Sequence, residues 1–217
     1  MEFINIPTEQ TTAATNAVIV VFMLAFIAYF RRFGNKDRWK VNLWLWAAGL
    51  QCVAVFFGVI VHGVKLADTT KFILWQPIYF SLGLLVAIFV VAAIYDVWGQ
   101  SAARRMLPIM LVIGVAFFGV TLIWTNSFLV FVIYQAAAML FALGGYIWLA
   151  SKKRLEGAWW MAAGILTSIV ASGIQASKAV SFTFIWPFDH NGTFHLILIV
   201  GFLFLTIGLR SAFLADE

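Results

Sequence analysis

Three histidines make up the imidazole complement of this chain, and their placement is its sharpest chemical signal. His62 closes an apolar stretch about eighteen residues beyond Trp44, roughly 27 Å along a helix. His190 and His195 flank the start of the last apolar stretch. His195 stands about fifteen residues before Arg210, or roughly 22 Å. Two regions far apart in sequence thus bring three imidazoles to a similar depth on one side. Three protein nitrogens are a common shell for catalytic zinc, which keeps a fourth position for water. Water held there loses a proton near neutral pH. The sequence therefore assigns His62, His190 and His195 as zinc ligands. Asp189 is the catalytic candidate, as the base acting on the bound water, an acceptor for an imidazole N–H, or a further ligand.

The spacing of the last pair matters. On an ideal helix residues five apart differ by about 140°, so His190 and His195 would not share a face. The stretch Pro187-Phe188-Asp189-His190-Asn191-Gly192-Thr193 is rich in turn and cap residues. It predicts a helix beginning at Asn191 or Gly192, with His190 on a turn able to point back toward His195. The plainer alternative makes His62 an interfacial polar residue and Asp189-His190-Asn191 an exposed cap. Asn191-Gly192-Thr193 also spells a glycosylation sequon, but it abuts the membrane.

The elements that must carry these residues follow from composition. Of 217 residues, 64% are hydrophobic and 11% charged, with mean hydropathy +0.99. Water cannot be the only solvent of such a chain. At about 20 apolar residues per crossing, the length holds roughly seven spans with short loops. Apolar segments fall at about 14–30, 41–63, 72–95, 107–124, 127–150, 158–178 and 192–213. A helix satisfies every backbone group within its own segment, and the alternation of a membrane barrel is absent. The predicted fold is all-α: a polytopic membrane protein, one seven-helix transmembrane bundle over residues 1–217. The N-terminal Met-Glu-Phe-Ile-Asn lacks the basic stretch of a cleaved signal, so the first segment is expected to remain as a span. The single Cys52 reads as a small buried hydrophobe.

Arg31, Arg32, Lys36, Arg38, Lys40, Arg104, Arg105, Lys152, Lys153, Arg154 and Arg210 fall on one side; Lys65, Lys71 and Lys178 fall on the other. The positive-inside rule places the N-terminus outside and the C-terminus in the cytoplasm, in the inner (plasma) membrane of a bacterium. These short basic clusters are a topology signal, so the net charge of +5 does not indicate a nucleic-acid partner. Trp44, Trp46, Trp159 and Trp160 fit an interfacial aromatic belt. Thr15, Asn16, Gln76, Tyr79 and Ser81 are candidates to line an outer cavity. Ser168, Ser172 and Gln175 form a stripe facing the bundle, where helix packing is the better reading for the two serines. Lys178 meets a lipid phosphate or snorkels to the interface.

Seven spans, a His in the second and His residues at the seventh resemble the superfamily of alkaline ceramidases and progestin/adipoQ receptors. That family carries Ser-x-x-x-His in span two and His-x-x-x-His in the last span. Here the first reads Gly58-Val59-Ile60-Val61-His62, so the His matches and Gly58 replaces the Ser. In the second His195 matches, Asn191 stands four residues before it, and His190 is displaced by one. The family's span-three Asp has no counterpart, Gln76 being the nearest polar residue, and the ceramidases' acidic calcium site is not evident around Glu2 and Glu9. The chain is also similar to uncharacterised bacterial membrane proteins sharing the Asp-His-Asn…His segment. The resemblance implies a zinc-dependent intramembrane hydrolase acting on a lipid amide or ester. The alternative is a non-enzymatic lipid-binding, receptor-like or accessory subunit. Membrane lipids are then the partners, with other membrane proteins or further copies of the chain as companions. A retinal protein is excluded because residues 193–209 contain no Lys. Haem ligation fits poorly with imidazoles gathered at one side. Transport lacks inverted repeats and an intramembrane charged relay.

Overall fold

The computed structural model describes residues 2–124 and 128–215. It contains seven helices long and apolar enough to cross a membrane, so this is an integral membrane protein. They are α1 (Pro7–Phe30), α2 (Arg38–Gly63), α3 (Asp68–Trp98), α4 (Gln100–Ile123), α5 (Phe128–Ser151), α6 (Ala158–Ser177) and α7 (His190–Leu214). A tighter helical turn, Arg31–Asn35, joins α1 to α2. A two-stranded hairpin, β1 (Phe182–Thr183) with β2 (Pro187–Phe188), joins α6 to α7. Each predicted segment lies on its own helix, apart from the predicted start of the fifth at residue 127, which is outside the described residues.

Several helices outrun their apolar segments. α1 starts a full two turns before residue 14, with Pro7 in its first turn. Proline suits that place because its missing N–H would be unpaired there anyway. α7 starts at His190 instead of Asn191 or Gly192, because Asp189 caps it: Oδ1 accepts from the N–H groups of Asn191 (3.0 Å) and Gly192 (2.9 Å). His190 is therefore the first residue of a helix and does not sit on a free turn.

The helices close into a ring. α1 packs on α2 and α7, α2 on α3, α3 on α5, α5 on α6, and α6 on α7. α4 packs on α3 from outside. Where two backbones approach, glycine is required. A Cβ on Gly83 would stand 2.7 Å from the carbonyl oxygen of Gly114, so this pair sets the α3–α4 crossing. The α6–α7 seam is tighter. Gly157 has φ +78°, and a Cβ there would stand 2.2 Å from the Gly208 oxygen. Ser168 joins the same seam, donating to the Gly164 oxygen (2.9 Å) close to Gly201, in keeping with a packing role.

A buried polar cluster ties three helices at the ends that carry the basic loops. Lys40 of α2 and Asp96 of α3 form a 2.6 Å ion pair with side chains 9% and 2% exposed. Tyr146 of α5 donates to the other Asp96 oxygen at 2.8 Å. Beside it Asp37 caps α2 and accepts from the Tyr95 hydroxyl. Trp46, Trp159 and Trp160 face outward as belt residues do, but Trp44 is turned inward and is 5% exposed.

Replacing Gly157 by Ala forces a left-handed side chain into the Gly208 backbone. It should destabilise the bundle by about 2–4 kcal/mol. Thermal unfolding in detergent checks this against Gly119→Ala, where nothing lies within 4 Å of the added Cβ.

Candidate functional site

The ring encloses a cavity of about 950 Å³. One end, called outer after the side expected from the sequence, is bordered by Asn16, His62, Lys71, Gln175, His190 and His195; the opposite, inner end by Phe22, Phe26, Trp44, Phe89 and Phe202. The three imidazoles singled out from the sequence thus border one cavity, at the same end.

The first turns of α1 bring the polar groups to them. Thr12, Thr15 and Asn16 recur at helical spacing from Glu9 and so line one side of α1. The N-terminal segment fixes that side in place. Phe3 pairs with Val64, Ile4 N donates to Gly63 O at 3.1 Å, and Lys65 N donates to Glu2 O at 2.9 Å. The start of α1 is thereby held against the end of α2. Glu9 Oε2 then lies 2.6 Å from His62 Nδ1. Trp75 stands edge-on to the same ring at 6.0 Å.

His195 is buried, and its Nδ1 lies 3.0 Å from the Thr15 hydroxyl. That hydroxyl has carbonyl acceptors on Thr11 and Thr12, each at 3.0 Å. The Glu9 carboxylate on His62 and the Thr15 hydroxyl on His195 each engage Nδ1, so Nε2 is the nitrogen of each ring left for another partner. His190 differs. Its Nδ1 is 4.0 Å from Asp189 Oδ2, and it stands about 140° around α7 from His195. Among the described residues, no three His, Cys, Asp or Glu side chains gather closely enough to hold a metal ion.

Asp189 is committed to structure through one oxygen. Beyond its two backbone donors, Oδ1 lies 3.4 Å from the Thr12 hydroxyl. Thr11 donates to the Pro187 oxygen at 2.8 Å, docking the hairpin on α1. Gln175 of α6 donates to Asn191 of α7 at 3.2 Å, so the outermost part of the predicted stripe is a bridge between helices. Gly58, where the resembling family has Ser, leaves room for Asn16: a Cβ there would stand 2.9 Å from Asn16 Oδ1. Asn16 in turn donates to Thr12 O at 3.0 Å.

Glu9 is the residue that sequence reasoning missed. Its signal was available: Pro7 opens a helix, and Glu9, Thr12 and Asn16 then fall on one face. A search for apolar runs passes over that turn because it is polar.

Comparison with known proteins now has a geometry to be read against. Residues 11–212 match the model of a Family of unknown function (DUF6962). The chain belongs to this family. No curated protein matches it, and neither does any solved structure. The family's description names no activity, so function must be argued from the cavity and the groups that border it.

The capping role of Asp189 is open to substitution. Asp189→Ala should cost about 1 kcal/mol through loss of the α7 cap, whereas Asp189→Asn keeps an acceptor and should unfold close to the parent. Thermal unfolding of the two variants in detergent measures the difference.

Proposed function

We propose that this protein binds a single lipid inside its helix ring, with the polar head at the imidazoles and the chain in the aromatic inner part. The observation that carries the reading is the polarity gradient of one cavity. Asn16, His62, Lys71, Gln175 and His195 border its outer end, while Phe22, Phe26, Phe89 and Phe202 border its inner end. A hydrocarbon core about 30 Å thick consists of two leaflets, so a chain reaching inward from the outer end has a matching depth of apolar wall. Lys71 and Lys178 outnumber Asp68 at the outer end, a balance that suits a head carrying negative charge. With the basic loops in the cytoplasm, the lipid enters from the outer leaflet of what we take to be a bacterial inner membrane.

A second reading, hydrolysis of a lipid amide or ester, is favoured by the Glu9–His62 pair. A carboxylate 2.6 Å from Nδ1 holds the ring by one nitrogen and leaves Nε2 to meet a water, the geometry a general base needs. Zinc, which the resemblance implies, is only partly accommodated. His62 and His195 have the outer hydrogen bonds typical of ligating imidazoles. His190 does not join them, which leaves the set a donor short of a three-nitrogen shell. No step is therefore assigned to the metal.

Organic extraction and mass spectrometry of protein purified in mild detergent should yield about one lipid per chain. Bulky Ala54→Trp, placed on the cavity wall, should empty it without loss of fold. Recovery of only bulk membrane lipids, in equal amounts from both proteins, would sink the binding reading. Elemental analysis of the same samples tests zinc: metal present in the parent and lost from His62→Ala and His195→Ala would restore the hydrolase assignment with its metal.

A further inference from the structure

Two carboxamides deep in the cavity have nothing to bond to. Gln51 of α2 and Gln135 of α5 border it, each is 8% exposed, and neither has a hydrogen-bond partner among the described residues. Thr121 and Ser168 on the wall differ, donating to Phe118 O at 2.7 Å and to Gly164 O at 2.9 Å, while Gln76, nearer the imidazoles, donates to Phe72 O at 3.0 Å and leaves its Oε1 without a partner among the described residues. A carboxamide has two N–H donors and two acceptor lone pairs, and burying it unmet costs about 1–3 kcal/mol. The indole N–H of Trp44, near the cavity floor, is also buried without a partner among the described residues.

The buried ion pair fixes how deep these groups lie. Lys40 and Tyr146 both touch Asp96, so they give α2 and α5 a common level. Gln51 is eleven residues outward of Lys40, and Gln135 is eleven residues outward of Tyr146 on a helix running the other way. At 1.5 Å per residue both stand about 16 Å from that level. α3 lies between α2 and α5 in the ring, so the carboxamides meet the cavity from separate walls at one height. His62 is a further eleven residues along α2, about 16 Å outward. Between the imidazoles and the floor, no acidic or basic side chain among the described residues borders the cavity, and the Tyr79 phenol is a hydroxyl-bearing ring on its wall.

We propose that Gln51 and Gln135 form a second polar subsite, which binds a neutral oxygen function, hydroxyl or keto, on the chain of the bound lipid about 16 Å inward of its head. This rests on the lipid-binding reading and narrows it, because a plain saturated chain would leave both carboxamides unmet. A hydroxyl or keto oxygen accepts from their N–H groups, and a hydroxyl also donates to their carbonyl oxygens.

The test uses the full chain in nanodiscs and a positional series of hydroxy- and oxo-octadecanoic acids, read by displacement of a fluorescent fatty acid. Acids oxygenated in the far half of the chain should bind roughly 5- to 30-fold tighter than octadecanoic acid itself. Acids oxygenated near the carboxyl should not. Gln51→Leu and Gln135→Leu should each reduce that preference and the double variant should abolish it, while binding of octadecanoic acid persists and reports an intact fold. Binding of the plain acid with no positional preference, or a preference surviving in the double variant, overturns the subsite and leaves the lipid reading standing. If no member of the series binds, both fall.

Discussion

Lys40 and Asp96 form an ion pair where water is scarce, and much of the architecture is arranged around that constraint. Two charges removed from solvent are tolerable only when close and fully hydrogen-bonded. Here they are 2.6 Å apart, and Tyr146 takes the second carboxylate oxygen. The arrangement admits one vertical register of α2, α3 and α5, since sliding α2 or α3 by a turn would strand a charge and sliding α5 would leave one carboxylate oxygen without its hydroxyl donor. Everything further out inherits that register: the height of Gln51 and Gln135, the height of His62, and the overlap of α3 and α4 at Gly83 and Gly114.

The outer end obeys a different rule. There the groups are neutral or half-exposed, and hydrogen bonds connect three helices through short side chains on α1. Thr11, Thr15 and Asn16 bond their own helix backbone, while Thr11 reaches Pro187 on β2, Thr12 reaches Asp189 at the start of α7 and Thr15 reaches His195. Threonine suits this work because its hydroxyl bonds a carbonyl one turn earlier and still meets a neighbour. Glu9 holds the ring of His62, and Thr15 holds that of His195 by a neutral group.

The bundle was legible in the sequence because hydropathy reports solvent directly: seven stretches too apolar for water became seven helices. What hydropathy could not report was where helices continue past the apolar core. α1 begins at Pro7 and α7 at His190 because proline and an aspartate cap decide helix starts, and neither is apolar. That gap hid Glu9, and it left His190 assigned to a turn. Trp44 shows the complementary limit. Composition marks tryptophan as a belt residue, yet α2 turns this one into the ring and Trp46 out of it, a difference of about 200° that only helix packing resolves. The buried pair was hidden for a similar reason. Lys40 counted toward the expected cytoplasmic charge excess, but its partner lies on another helix, and nothing local to either residue announces the pairing.

The segment ahead of α1 is paired to the end of α2 through Phe3 and Val64, and it carries Glu2 to within 2.6 Å of Lys65. The residues before Pro7 are thus a working part of the wall around His62. For anyone expressing this protein, affinity tags and reporter fusions belong after α7, where an added chain hangs free of the imidazoles.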